Sequence, residues 1–340
     1  MQPLLQDYSN KIKFQFSIIL PLHNRLNYFE SCLKSICQQQ HQCRTEILLL
    51  DDASQTFSRQ DIQQIVEKCR PYLPSEKYTI YYLRHPQNLG EYSNINWGIK
   101  LANSPWIYIV HDDDLLLENT LLWFEEIIQK QPSLDLVSGA SYTIDDTDKI
   151  IKKSSFLGNQ GLANQEFLNL FLANNPLECV ATIYSKQIFE KVGYFKADLD
   201  VSADWELLRR VSKVTELQWY YLPQYIGACR HHEQQKSKQY QTSISDQYIW
   251  QVLNLSQHYF SSLEQRTSKK SRYWQCFQAV EHYFDAGEMD SALSLCLDIV
   301  EFSDLGDRLW LEVLNQFELK HKQQIYELMV MLIDKATEVH

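Results

Sequence analysis

The stretch WIYIVHDDDLLLENTL, residues 106–121, runs an apolar strand-like pentad into a histidine and three consecutive aspartates before leucines resume. Like-charged carboxylates at the end of a buried strand repel one another and lose hydration, so a divalent cation held there relieves both costs. Mg2+ and Mn2+ take oxygen ligands, commonly one or two carboxylates together with phosphate oxygens. A plain charged turn is the competing reading of HDDD alone, and the segments on either side have to decide between them.

Working outward, FQFSIILPL (14–22), TEILLLDD (45–52), KYTIYYLR (77–84) and PWIYIV (105–110) read as strands. Between them LNYFESCLKSICQQ (26–39), RQDIQQIVEKCR (59–70) and EYSNINWGIKLAN (91–103) carry apolar residues at helical spacing. Near-continuously apolar strands alternating with helices predict an α/β fold, a mostly parallel sheet flanked by helices on both faces. Ligands of such sheets sit outside the carboxyl ends of the strands. That edge carries Pro21 to Arg25, Asp51 and Asp52, Arg84 to Gly90, and His111 to Asp114.

Beyond about residue 134 the alternation loosens. LDLVSGASYTI (134–144) reads as a strand, NQEFLNLFLANN (164–175) as a helix, ATIYSKQIFEKVGYF (181–195) as a strand and short helix, and YLPQYIGACRHHEQQKSKQ (221–239) as a strand entering a polar loop. After about 240 no convincing strand remains. DQYIWQVLNLSQHYFSSLEQ (246–265), YWQCFQAVEHYFDAG (273–287), MDSALSLCLDIVEF (289–302) and the segments that follow all show helical periodicity. Two domains are expected, 1–240 and an all-helical C-terminal region, 241–340.

Composition narrows the function. The 340 residues are 44% hydrophobic, and 32 basic against 43 acidic side chains give a net charge of −11. That balance argues against a nucleic-acid binder that works by neutralising phosphates. The eight cysteines form no CxxC pair and no zinc spacing, so reduced core thiols are expected. MQPLLQDYSNKIKF lacks a signal-peptide layout and no run of 18 apolar residues occurs, so a cytoplasmic protein is expected, with peripheral contact at the inner membrane face left open. LPLHNR stands where a dinucleotide-binding GxGxxG would, and neither GxxxxGK[ST] nor GxSxG is present.

Three further constellations carry chemistry. In LLLDDAS, one of the two carboxylates, Asp51 or Asp52, can accept from a nucleobase N–H or a ribose hydroxyl, or else cap the following turn. In SADWELLRR, Asp204 and Glu206 are two apart and point in different directions on a helix, so one can serve as a general base while the other turns aside. The alternative for Asp204 is a helix cap. CRHHEQQKS gathers Arg230, His231, His232 and Lys236, which suits a diphosphate or is a solvated loop.

Taken together, SIILPLHNR, EILLLDDAS, NLGEYSNINWGI, YIVHDDDLL, ADWELLRR and RHH resemble, in order and spacing, the family-2 glycosyltransferases with the GT-A fold, over roughly residues 14–240. The resemblance implies that Pro21 and His23 line a nucleobase pocket and that Asp52 bonds the base. Asn24, Asn88, Gly90 and Asn96 join them as donor-binding residues. It implies further that Asp112 lies near the ribose or sugar, that Asp113 with Asp114 holds Mn2+ or Mg2+, and that Asp204 is the catalytic base. Arg230 and His232 fall near the diphosphate. The implied activity is an inverting transfer from a nucleotide-sugar donor, UDP- or dTDP-linked, to a hydroxyl acceptor such as a glycan or lipid-linked sugar, in surface polysaccharide or glycan synthesis. Four positions depart from the family pattern: His23 for Tyr, Ile95 for a basic residue, His111 for Asp, and Ala203 for an acidic residue.

Two rivals remain open. A sugar-phosphate nucleotidylyltransferase would want a Gly-rich loop where LPLHNRLN has no glycine. A degenerate transferase domain would act as a scaffold or binding module through its C-terminal helices, which could also pair two copies of the chain.

Overall fold

The computed structural model describes residues 13–73, 77–173, 175–232 and most of the residues between 273 and 338. The chain divides into two compact units, 1–171 with 175–235, and 172–174 with 236–340. The expected boundary near 240, the helix expected over 246–265, and Lys236 all lie outside the described residues.

The first unit is built on one sheet. Strands β1 (Phe16–Leu22), β2 (Thr45–Asp51), β3 (Tyr78–Arg84) and β4 (Trp106–Ile109) alternate with α1 (Phe29–Cys37), α2 (Arg59–Cys69) and α3 (Glu91–Leu101). Their pairings, β3 with β2, β2 with β1 and β1 with β4, are all parallel. Every residue of β1 and β2 is buried, which is why these strands read as unbroken apolar runs.

The second half makes the sheet mixed. β5 (Leu115–Leu116), α4 (Thr120–Lys130), β6 (Leu136–Ile144), β7 (Ile150–Lys153), β8 (Gly161–Leu162) and α5 (Gln165–Ala173) come next in the chain. They are followed by β9 (Thr182–Ser185), α6 (Lys186–Val192), α7 (Ala203–Val211) and β10 (Trp219–Arg230). β9 inserts antiparallel between β4 and β6, β10 runs parallel to β6, and the strand order is β3-β2-β1-β4-β9-β6-β10-β5.

Alternation along the strands divides the core into two layers. Phe16, Ile18, Leu20 and Leu22 face Phe29, Leu33, Ile36, Ile62 and Phe124 on one side. Ile19, Leu48 and Leu50 face Ile95, Ile99, Phe171, Ala203 and Leu207 on the other. Two departures from the family pattern are explained here. Ile95 and Ala203 are fully buried in this second layer, where a charged side chain would lose its hydration without a partner.

In the second unit the described residues are helical, with Met289–Phe302, Leu309–Gln316 and Lys322–Glu338 the longest segments. Phe277, Ala292, Cys296, Ile325 and Met329 form the middle of a separate apolar core.

Gly227 marks where the sheet is tightest. A Cβ there would stand 2.8 Å from both γ-carbons and the carbonyl oxygen of Val180. Gly227→Ala is expected to lower the free energy of unfolding by about 1–3 kcal/mol. An unchanged midpoint in urea denaturation would contradict this packing.

Candidate active site

The turn between β4 and β5 is the centre of the site. Asp114 N–H donates to the His111 carbonyl at 3.1 Å, which folds residues 111–114 back at the carboxyl edge of the sheet. Asp112, Asp113 and Asp114 are all buried, at 6%, 6% and 3% exposure, so their charges need compensation nearby. Arg25, His111 and His232 stand against these carboxylates.

Arg25, just past the end of β1, reaches across to this turn. Its Nη2 donates to Asp112 Oδ1 at 2.5 Å and to Asp113 Oδ2 at 2.7 Å, and its Nε lies 3.4 Å from Asp112 Oδ2. His232 Nε2 lies 2.9 Å from Asp113 Oδ2 and 3.0 Å from Arg25 Nη1. That nitrogen can donate to the carboxylate or accept from the guanidinium, and it cannot do both at once. Burial pushes the Asp112 carboxyl up to about 6 against the pull of Arg25. Burial acts on Asp113 in the same direction, but His232 and Arg25 overcome it and hold this carboxyl below its ordinary value.

His111 has a partner on each side, Glu91 Oε1 at 2.9 Å from Nε2 and Asp114 Oδ2 at 3.6 Å from Nδ1. Burial alone would favour the neutral ring, yet these carboxylates raise its pKa well above the ordinary value. The family's aspartate is thus replaced by a cation that neutralises its own neighbours. Asp114, expected as a second metal ligand, accepts the Arg230 amide on its Oδ1 at 3.1 Å, and burial pushes its carboxyl up to about 6.

Arg230 is the residue expected near the diphosphate. Its guanidinium is buried, with Nε on the Asp113 carbonyl at 2.9 Å, Nη1 on the Asp145 carbonyl at 2.7 Å and Nη2 on Asp148 Oδ1 at 2.5 Å. The Tyr28 ring lies beneath it, 4.6 Å from the guanidinium carbon. Arg230 therefore ties the end of β10 to the acidic turn through Nε and to the loop after β6 through Nη1 and Nη2.

A second group gathers at the ends of β1 and β2. His23 Nδ1 lies 2.8 Å from the Asp52 carbonyl, while the Asn24 and Asn88 amides stand 2.9 and 3.2 Å from Nε2. An Nδ1–H tautomer satisfies all three contacts. Asp52 is buried and its two oxygens accept the Leu89 and Gly90 amides at 2.8 and 2.9 Å. Gly90 opens α3 with φ of 85°, a left-handed value that favours glycine. Asp52 therefore shapes the loop before α3, leaving one lone-pair direction on each oxygen for a base. Pro21 is buried in β1 opposite Leu50. Asn96 has a different task from the expected one: its amide clasps the Phe195 backbone, donating to the carbonyl at 2.8 Å and accepting the N–H at 3.0 Å.

Asp204 lies in the first turn of α7 and is partly buried. Its Oδ1 accepts the Trp205 amide at 2.6 Å and its Oδ2 the Asn175 side-chain amide at 2.8 Å. Burial pushes the carboxyl up to about 6, with Glu178 adding to the rise and His111 opposing it. Glu206, two residues on, is buried between Lys196 at 3.1 Å and Arg210 at 2.8 Å, and Arg210 also binds the carbonyls of Val192, Gly193 and Tyr194. Glu206 is thus a structural carboxylate, and Asp204 is the one left with a titratable role. Cys179 sits among His111, Asp204, Asp114 and Glu91, whose charges all reach it, and burial pushes its thiol up to about 12. It stays protonated at neutral pH, so it is no nucleophile.

The oxygen donors of Asp112 and Asp113, which converge on one point, suit a hard cation such as Mn2+ or Mg2+. Among the described residues, no group of three or more His, Cys, Asp or Glu side chains is arranged to hold a metal. A pair of carboxylates completed by phosphate oxygens is the arrangement these residues could offer.

Loss of the Asp52 carboxylate should be visible locally. Asp52→Ala strands two amides and is expected to cost about 1–3 kcal/mol of stability. Hydrogen exchange at Leu89 and Gly90 should accelerate, and unchanged protection there would show that the loop is held by something else.

The profile described as glycosyl transferase family 2 matches residues 17–193, just over half of the chain. Glycosyltransferase GlyG of Streptococcus pneumoniae is 29% identical over 133 residues, 39% of this chain and 40% of that protein. The chain spans less than half the length of several curated relatives that it matches. Staphylococcus aureus TarS 1-349 in complex with UDP-GlcNAc superposes with a TM-score of 0.63 at 15% identity, covering 94% of this chain and 89% of that one. The mannosyltransferase PcManGT of Pyrobaculum calidifontis, in complex with GDP-Man and Mn2+, superposes at 0.52 and 13% identity over 96% and 87%. At these identities the two structures share the fold, a mixed sheet flanked by helices. With the profile running from β1 through β9, the acidic turn and α6, the chain belongs to the family-2 glycosyltransferases.

Proposed function

We propose that this chain is an inverting glycosyltransferase that moves a sugar from a nucleoside-diphosphate donor to a hydroxyl acceptor. The observation that carries the reading is Asp204, a partly buried carboxylate held by Asn175, its pKa pushed up to about 6, within electrostatic reach of the acidic turn. A base tuned toward neutral pH beside a cation-compensated carboxylate pair is what a single displacement needs.

The donor's base lies against Pro21, His23 and Asp52, with Asn24, Asn88 and Gly90 shaping that end of the pocket. Its diphosphate lies toward Asp112 and Asp113, where Arg25 brings positive charge to the leaving group and His232 stands beside Asp113. A divalent cation held by Asp112 and Asp113 supplies Lewis-acid stabilisation to the same phosphates when bound. Asp204 takes the acceptor's proton as the oxygen attacks the anomeric carbon from the face opposite the leaving group. Arg230 and Asn96 keep the acidic turn and α3 in place. TarS and PcManGT were solved with UDP-GlcNAc and GDP-Man respectively, which supports a nucleotide-sugar donor here. A UDP- or dTDP-sugar is favoured, and a glycan or lipid-linked sugar as acceptor, in surface polysaccharide or glycan synthesis. No helix among the described residues is long and apolar enough to cross a membrane. Reaction at the cytoplasmic membrane face and pairing through the C-terminal helices belong to this proposal too.

Asp204→Asn should lower kcat by about 10²–10⁴-fold while leaving donor binding intact. Because the carboxylate is the active form and its pKa is raised to about 6, wild-type activity should fall as pH drops through about 6. Turnover of Asp204→Asn near the wild-type rate, or an acid limb near pH 4, would remove Asp204 from the role.

A further inference from the structure

Arg25 stands where a cation would. Its Nη2 bridges Asp112 Oδ1 and Asp113 Oδ2 at 2.5 and 2.7 Å, and its Nε closes a second contact to Asp112 at 3.4 Å. The two carboxylates are over nine-tenths buried, while the arginine side chain is 20% exposed. The acids are thus fixed by the fold and the guanidinium approaches them from the solvent side. The fixed partners of the turn, the Arg230 backbone on Asp114 and the Arg230 guanidinium on the Asp113 carbonyl, do not depend on Arg25.

We infer that Arg25 is a built-in competitor of the divalent cation: it occupies the Asp112 and Asp113 oxygens in the resting protein and must swing away from them for a metal to bind. This rests on the reading that those two carboxylates are the metal-binding pair. One oxygen cannot face both a guanidinium N–H at hydrogen-bond distance and a hard cation at about 2.0–2.6 Å on the same lone pair. The occupied ion pair lowers metal affinity by whatever it costs to break. Once displaced, the guanidinium stays within a side chain's length of the donor phosphates, where its charge adds to that of the metal. His232, 3.0 Å from Nη1 and 2.9 Å from Asp113, offers the displaced arginine or the exposed Asp113 a replacement contact.

The test is Mn2+ binding to the purified protein in the presence of UDP, whose phosphate oxygens complete the site, followed by the paramagnetic signal of free Mn2+ against a blank of UDP alone. Wild type, Arg25→Gln, Arg25→Lys and Asp113→Asn are compared, with melting curves to confirm folding. Arg25→Gln should bind Mn2+ about tenfold tighter or more, the equivalent of losing a charge-assisted hydrogen-bond pair. Arg25→Lys keeps one charge but cannot span both carboxylates, so it should be tighter by a smaller factor, and it carries the test if the glutamine variant does not fold. Asp113→Asn should lose binding. Arginine variants that bind no tighter than wild type, with Asp113→Asn still defective, would overturn the competition and leave the metal site standing. Absence of Mn2+ binding in wild type and arginine variants alike would overturn both.

Discussion

Three adjacent aspartates buried at the end of β4 are the constraint around which the rest of the first unit is arranged. Each would be costly to bury alone, and each has been given a different solution. Asp112 and Asp113 share the Arg25 guanidinium from the end of β1, Asp113 adds His232 from beyond β10, and Asp114 takes a backbone amide of β10 with His111 beside it. Because those partners come from the ends of β1 and β10, satisfying the turn also ties together the carboxyl ends of strands that are not neighbours in the sheet. The site is a consequence of that closure.

The same logic separates groups that look alike. Glu206 is locked between Lys196 and Arg210, while Asp204 two residues away has only neutral hydrogen-bond donors. Against those neutral donors, burial pushes the Asp204 carboxyl up to about 6. Arg25 and Arg230 form a matching pair among the bases. Arg230 is enclosed and bound to two backbone carbonyls, and Arg25 meets only ionisable groups from the solvent side.

Much of this was readable from the chain. The four parallel strands and their helices follow from apolar runs buried on both faces, and HDDD, Asp52 and Asp204 were singled out because each ends a strand or opens a helix at one edge. The antiparallel insertion of β9 was not readable, because a four-residue strand carries no sign of its direction or neighbours. The short strands β5, β7 and β8 are too brief for a periodicity. Arg25 was named only as part of a strand end: its signal was position, since no motif distinguishes an arginine that will reach an aspartate 87 residues away. Arg230 and Asn96 were assigned to the donor on type and spacing, and the backbone carbonyls that each also binds carry no signal in the sequence. His111 could be explained only when Glu91, twenty residues earlier, was seen at its side.

The central claim is that the carboxyl edge of this sheet binds a nucleoside-diphosphate sugar at the acidic turn. The most direct measurement is a thermal-shift panel of nucleotide sugars with Mn2+, run on the wild-type protein and on Asp112→Asn. A ligand that binds only the native state raises the melting temperature. The account predicts a shift with at least one donor in the wild type and its loss in Asp112→Asn. A shift of equal size in the variant, or none with any donor in the wild type, would contradict it.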